Sequence, residues 1–275
     1  MEPSGSETGR LFEDFVRLIA RLRAPGGCPW DREQTHSSVK PMTIEEAYEV
    51  AEAIDLEDDE ALAGELGDLL LQVVFHADIA RERGAFGVEA VVRRVSEKMV
   101  RRHPHVFGDE KADSSGEVLR NWEALKQAER AAQGKDDENP SLLDGVSKGL
   151  PAILEAYQMA TKASRVGFDW PDPSGAQAKL DEEVAELREA TTRKPADSAA
   201  VQEEMGDLLF AAVNVARLLG VDPESALKGA NRKFRRRFRH IEERLRENGR
   251  SPGDSNLEEM DTLWNEAKAA ERESD

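Results

Sequence analysis

The chain has 275 residues, a formal net charge of −18 and a single cysteine, Cys28. That length accommodates two ordinary domains, the charge argues against general binding to nucleic acid or to an anionic membrane, and one cysteine excludes intrachain disulfides and cysteine-rich zinc sites. No apolar run approaches the roughly 20 residues of a membrane span and the first residues lack a basic-then-apolar leader, so a soluble cytoplasmic protein is expected.

Leu11, Phe15, Leu18, Ile19 and Leu22 recur at helical spacing and predict an amphipathic first helix, ended by Ala24, Pro25, Gly26 and Gly27. A loop with Trp30 follows. Thr43 and Glu46 read as a capping box that starts the next helix. An acidic turn at Leu56 to Asp59 leads to a long helix over about 60–83. After Gly84 and Gly87 a further helix runs to Arg102 and stops at His103 and Pro104, and a polar helix with Trp122 and Lys126 comes next.

The segment 134–141 is polar, charged and carries Pro140, and reads as a linker between domains at 1–133 and 142–275. Beyond it the plan restarts. A helix near 151–164 precedes a loop with Trp170, an acidic helix over about 175–191, a turn at Arg193 to Pro195 and a long helix over about 198–219. Asp222 and Pro223 cap a basic helix, and a last helix containing Trp264 follows Pro252, Gly253 and Asp254. No alternating Val/Ile/Thr-rich runs occur, so the class is all-α.

The strongest signal is a duplication. Glu45-Glu46-x-x-Glu49 followed by Glu65-x-x-Asp68 recurs as Glu182-Glu183-x-x-Glu186 followed by Glu204-x-x-Asp207. Glu89, Lys98 and Arg102 align with Glu224, Lys233 and Arg237, and Trp122, Lys126, Glu129 and Arg130 with Trp264, Lys268, Glu271 and Arg272. Two long repeats make tandem domains rather than a solenoid.

Residues three apart share a helix face. If the two helices of each half pack antiparallel, four carboxylates converge: Glu46, Glu49, Glu65 and Asp68 in one half, Glu183, Glu186, Glu204 and Asp207 in the other. Their mutual repulsion raises their pKa values unless a cation intervenes. All-oxygen ligands suit Mg2+ or Mn2+. The basic pairs Lys98/Arg102 and Lys233/Arg237 lie one turn apart and can hold phosphate oxygens, and Trp264 can stack on a base. Metal, phosphate clamp and aromatic platform together point to a nucleotide polyphosphate. Trp122 and Trp264 serve equally well as core anchors, and Arg235 and Arg236 as complements to a helix dipole. No P-loop and no Gly-x-Ser-x-Gly elbow is present.

These motifs, with Gly27 to Asp31, Arg101 to Phe107, Ala163 to Trp170 and Asn231 to Phe234, resemble the MazG family of nucleoside triphosphate pyrophosphohydrolases. The resemblance spans nearly the whole chain. It implies tandem all-α domains whose helix bundles are completed in a homodimer. The implied reaction is Mg2+-dependent hydrolysis of NTP or dNTP to monophosphate and pyrophosphate, mainly in the C-terminal domain. It implies metal ligation by Glu183, Glu186, Glu204 and Asp207, and nucleotide contacts from Lys179, Glu182, Glu183, Lys233, Arg237, Trp264 and Lys268. Glu182 is the candidate proton acceptor. The second set would be Glu46, Glu49, Glu65 and Asp68 with Lys98, Arg102, Trp122 and Lys126. Lys179 lies four residues before Glu183, whereas Met42 holds that place before Glu46, which favours the C-terminal site. The competing readings are a narrower phosphohydrolase, such as one specific for dUTP, and a non-enzymatic helical dimerisation module.

Overall fold

The computed structural model describes residues 6–109, scattered positions between 111 and 129, residues 141–193 and residues 197–274. Among the described residues there is no β-strand. The chain divides into two compact units, Met1–Lys135 and Asp136–Asp275. The division falls in the segment expected as a linker, of which 134–140 lie outside the described residues.

In the first unit, α1 (Glu7–Arg23) and the short α2 (Pro29–Glu33) precede a long pair, α3 (His36–Asp55) and α4 (Asp59–Glu82), followed by α5 (Val88–Arg102) and α6 (Pro104–Phe107). The α3–α4 contact is the most extensive in the unit, with α1 and α5 laid on α4. Ile19, Val39, Val74, Phe75 and Ile79 form the buried centre, flanked by Phe12, Phe15, Met42 and Leu71. Burying a side chain such as Ile19 or Val74, both 1% exposed, contributes about 1.5–3 kcal/mol.

The α3 boundary corrects the sequence reading. The capping box is Thr35 with Ser38, whose side chains and backbone N–H groups bond reciprocally, and the helix starts at His36. Thr43 lies inside α3, as does Pro41. Thr43 with Glu46 has capping-box spacing, but spacing alone does not make a cap. Here the earlier cap wins, and the Thr43 hydroxyl donates back to the Val39 carbonyl at 3.4 Å. Glu57 turns the chain between α3 and α4 with a φ of 54°.

The second unit repeats the plan. After a 3-10 turn at Leu142–Gly145 come α7 (Ala152–Ser164), α8 (Pro173–Thr192), α9 (Ser198–Leu218), α10 (Pro223–Glu247) and α11 (Leu257–Ser274). Here α8 packs on α9, and α10 on α11. Its buried positions are rich in small residues: Ala156, Ala160, Ala176, Ala190, Ala211 and Ala267. Residues 194–196 and the side chains of 273–274 lie outside the described residues. Among the described residues, no helix is long and apolar enough to cross a membrane.

Candidate metal and nucleotide site

The site-bearing helices are phased by equivalent caps. Asp58 accepts a hydrogen bond from the Ala61 N–H at 3.0 Å and starts α4. Asp197 accepts from Ala199 and Ala200 at 3.0 and 3.2 Å and starts α9. Capping fixes the first turn of a helix. Glu65 follows Asp58 by the same interval as Glu204 follows Asp197, so the second carboxylate pair has the same phase in both units.

In the first unit, Glu46, Glu49 and Glu65 each place a carboxylate oxygen within 4.8 Å of the others. Asp68 stands outside this group yet acts on both Glu46 and Glu65. Burial, then the charges of Asp68 and Glu49, push Glu46 above the usual carboxylate range. Burial, then Glu49 and Asp68, does the same to Glu65.

In the second unit the converging acids are Glu183, Glu204 and Asp207, again within 4.8 Å. Glu186 stands at their edge, pushed up by burial and then by Glu183 and Glu204. Glu183 is only 4% exposed. Its Oε1 accepts from Lys179 Nζ at 2.7 Å, and the same ammonium holds Glu182 Oε1 at 2.7 Å. The two carboxylates, Glu182 first, raise the Lys179 pKa and keep it charged. Glu183 Oε2 is buried without a hydrogen-bond partner. Leaving such an acceptor unmet costs about 1–3 kcal/mol, more when it is charged. A hard cation held by oxygen ligands satisfies that oxygen and relieves the repulsion among the three acids, so the residues present fit Mg2+ or Mn2+.

The basic residues form a second arrangement in each unit. On α10, Arg237 donates through Nε and Nη2 to Glu271 Oε2 at 2.9 and 2.7 Å, and Arg236 Nε donates to Glu271 Oε1 at 2.7 Å. The Arg237 guanidinium lies 5.4 Å from the centre of the Trp264 ring, and the Phe234 ring, tilted by 54°, has its centre 5.1 Å from that of the same ring. In the first unit, Arg101 and Arg102 share Glu129 at 2.6 and 2.5 Å, and Arg102 lies 5.8 Å from the Trp122 ring. Lys98 and Lys268 are half-buried and Lys233 is exposed; Lys126 lies outside the described residues. The sequence named Arg237 and Trp264 and aligned Glu271 with Glu129, but their direct pairing had no local signal.

Other groups were not foreseen. Arg23 is buried; it grips Glu82 through Nε and Nη2 at 3.1 and 2.8 Å, donates to the Asp31 carbonyl, and lies 4.9 Å from the Phe75 ring. In the second unit Arg217 grips Asp169 at 2.5 and 3.1 Å. Arg23 thereby ties the end of α1 and the Trp30-bearing α2, expected as a loop, to the end of α4, and Arg217 ties the Trp170 loop to the end of α9. His36 and His76 meet through their Nδ1 atoms at 2.9 Å, and His76 Nε2 lies 3.1 Å from Thr43 Oγ1. Contacts between residues so far apart in sequence leave no periodicity to read.

The family model of the MazG nucleotide pyrophosphohydrolase domain matches twice, at residues 34–107 and 173–242. These spans begin just before α3 and at α8, and each contains one carboxylate set. The chain is 48% identical over 265 residues to the nucleoside triphosphate pyrophosphohydrolase/pyrophosphatase MazG of Thermotoga maritima, covering 96% of this chain and 98% of that protein. It is 44% identical over 261 residues to the nucleoside triphosphate pyrophosphohydrolase of Escherichia coli K12, covering 94% and 98%. It is also 49% identical over 263 residues to the uncharacterized protein YabN of Bacillus subtilis, covering 96% of this chain and 53% of that protein.

Proposed function

The chain belongs to the MazG family of nucleotide pyrophosphohydrolases, and from that premise we propose that it hydrolyses nucleoside triphosphates to the monophosphate and pyrophosphate with Mg2+, Mn2+ serving as a substitute. The observation that carries the proposal is the convergence of Glu183, Glu204 and Asp207 on one point, with one buried Glu183 oxygen unsatisfied. Membership in a hydrolase family sets the non-enzymatic module aside.

In this reading Glu183, Glu204 and Asp207 hold the cation, with Glu186 at the rim. The ion supplies charge for the phosphate chain and makes a coordinated water more acidic. Lys179 holds Glu183 in place. Glu182, which Lys179 also holds, is the proposed acceptor of the water's proton, and Glu186 is the competing acceptor. Lys233 and Arg237 take the phosphates, and Trp264 offers a ring face on which any base can stack. Because these groups address phosphates and ring faces rather than base edges, we favour a broad NTP and dNTP range, suited to clearing the nucleotide pool, over a dUTP-only enzyme. The first unit's carboxylates with Lys98, Arg102, Trp122 and Lys126 form the secondary site.

We further propose a homodimer, in the cytoplasm. Leu66, Leu70 and Val73 form an exposed stripe at helical spacing on α4, and Met205 and Leu209 occupy the matching places on α9. Recurrence of an exposed apolar stripe on both site-bearing helices suits a partner surface.

The test is product analysis on the purified full chain with each NTP and dNTP plus Mg2+, beside the Glu46→Gln/Glu49→Gln and Glu183→Gln/Glu186→Gln variants. Monophosphate and pyrophosphate, lost in the second variant alone, is the expected outcome. Orthophosphate release, or turnover of dUTP alone, would replace the proposed reaction or its range.

A further inference from the structure

We infer that Glu271 is a positioning residue for the nucleotide, holding the Arg237 guanidinium by its Nε and Nη2 edge so that the remaining donors meet a polyphosphate in a fixed plane. The inference rests on the proposed role of Arg237 as a nucleotide contact. Glu271 lies beyond the matched family span, which ends at residue 242.

Arginine carries five N–H donors in a rigid fork at the end of a flexible stem. Both hydrogen bonds from Arg237 to Glu271 Oε2 leave Nη1 outside the pairing. The carboxylate is itself fixed from the other side, since its Oε1 accepts from Arg236 Nε at 2.7 Å. Arg237 and then Arg236 hold the Glu271 carboxyl below the usual range, so the anchor is anionic near neutral pH. Trp264, Lys268 and Glu271 follow one another on α11 at intervals of four and three residues and thus share one face. Opposite them, α10 offers Lys233, Arg236 and Arg237. A guanidinium clamped at one edge by Glu271 and flanked by the Trp264 ring is preorganised, and less freedom is lost when a phosphate arrives.

The arrangement is built twice. In the first unit Glu129 receives Arg101 on one oxygen and Arg102 on the other, with Trp122 beside Arg102. Recurrence of two adjacent arginines, one shared carboxylate and one tryptophan distinguishes the cassette from an incidental surface ion pair, which contributes little.

The experiment is steady-state hydrolysis of ATP with excess Mg2+ by the full chain and its E271Q, E271A, R237Q and R237Q/E271Q variants, with Tm measured in parallel. E271A is expected to raise KM about tenfold, the size of one lost charge-assisted hydrogen bond, with kcat within about twofold. E271Q keeps an acceptor oxygen and should fall between wild type and E271A. The double variant should match R237Q, because without the guanidinium Glu271 has nothing to position. A fall in KM would mean that Glu271 competes with phosphate, and additive losses, or a kcat loss with lowered Tm and unchanged KM, would mark a structural role; each overturns the inference. An R237Q enzyme with wild-type KM removes the premise about Arg237, whereas a wild type inert toward every nucleotide removes the proposed function itself.

Discussion

Lys179 Nζ lies 2.7 Å from Glu183 Oε1, while Met42, at the matching place in the first unit, packs against the hydrophobic centre. The two carboxylate clusters therefore differ in internal charge. The second has a cation of its own, bound directly to its most buried acid. The first holds Met42 in that place, and burial, then the neighbouring carboxylates, raises Glu46 and Glu65. Accordingly, Glu183→Gln should lower kcat/KM by about 10²–10³, the scale of losing one preorganised electrostatic group, and Glu46→Gln should stay within about threefold of wild type in NTP turnover.

Lys179→Met copies the first unit's residue into the second. Glu183 then keeps its burial and loses its counter-charge, so the metal-free protein should show a lower Tm at pH 7 in EDTA. Added Mg2+ should recover part of that loss, because the ion takes over the charge. A Tm equal to wild type in EDTA would mean that Glu183 does not depend on this lysine.

The raised Glu46 and Glu65 give a signed pH prediction. A carboxyl whose folded-state pKa lies above its ordinary 4.5 binds protons more tightly in the folded chain. The stability linked to it is present below pH 4.5 and is lost as pH rises through the raised value. In EDTA, Glu46→Gln should thus raise Tm at pH 7 and change it little at pH 4. The variant should also show a smaller rise in Tm with Mg2+, read by thermal shift at both pH values.

Glu259 behaves in the opposite sense. Arg250 grips both its oxygens at 2.6 and 2.8 Å, Ser255 donates to it at 2.6 Å, and its pKa falls to about 2. Its contribution is present above pH 4.5 and is lost as pH falls from there toward 2. Glu259→Gln should lower Tm at pH 7 and converge with wild type near pH 2, followed by circular dichroism.

Gly175 opens α8 beneath Trp170. A methyl there would stand 2.1 Å from Trp170 Cδ1, so Gly175→Ala must displace the indole. Overpacking of this kind costs about 1–3 kcal/mol, and tryptophan emission should shift to the red as the ring moves toward water.

The helical order and both acidic hairpins were legible because their cues are local. Apolar spacing marked α1, and Asp222 with Pro223 marked the start of α10, whereas the equivalent Asp172 and Pro173 start α8 two residues before the expected boundary. The duplication then identified which Glu-x-x-Glu faces converge. Three things were not legible. Thr43 and Glu46 have the spacing of a capping box, yet Thr35 and Ser38 make the cap that starts α3. Lys179 was expected to touch nucleotide, and its hold on Glu183 depends on the burial of one acid. The Arg237–Glu271, Arg23–Glu82 and His36–His76 pairs join separate helices, and only the packing brings them together.

The exposed stripe of Leu66, Leu70 and Val73 runs along the helix that carries Glu65 and Asp68, and Met205 and Leu209 share α9 with Glu204 and Asp207. Any surface that covers these stripes therefore also braces the backbone on which the ligands stand. In the proposed homodimer, mass action makes catalytic competence a function of dilution: specific activity should climb with enzyme concentration and level off once nearly every copy has found its mate.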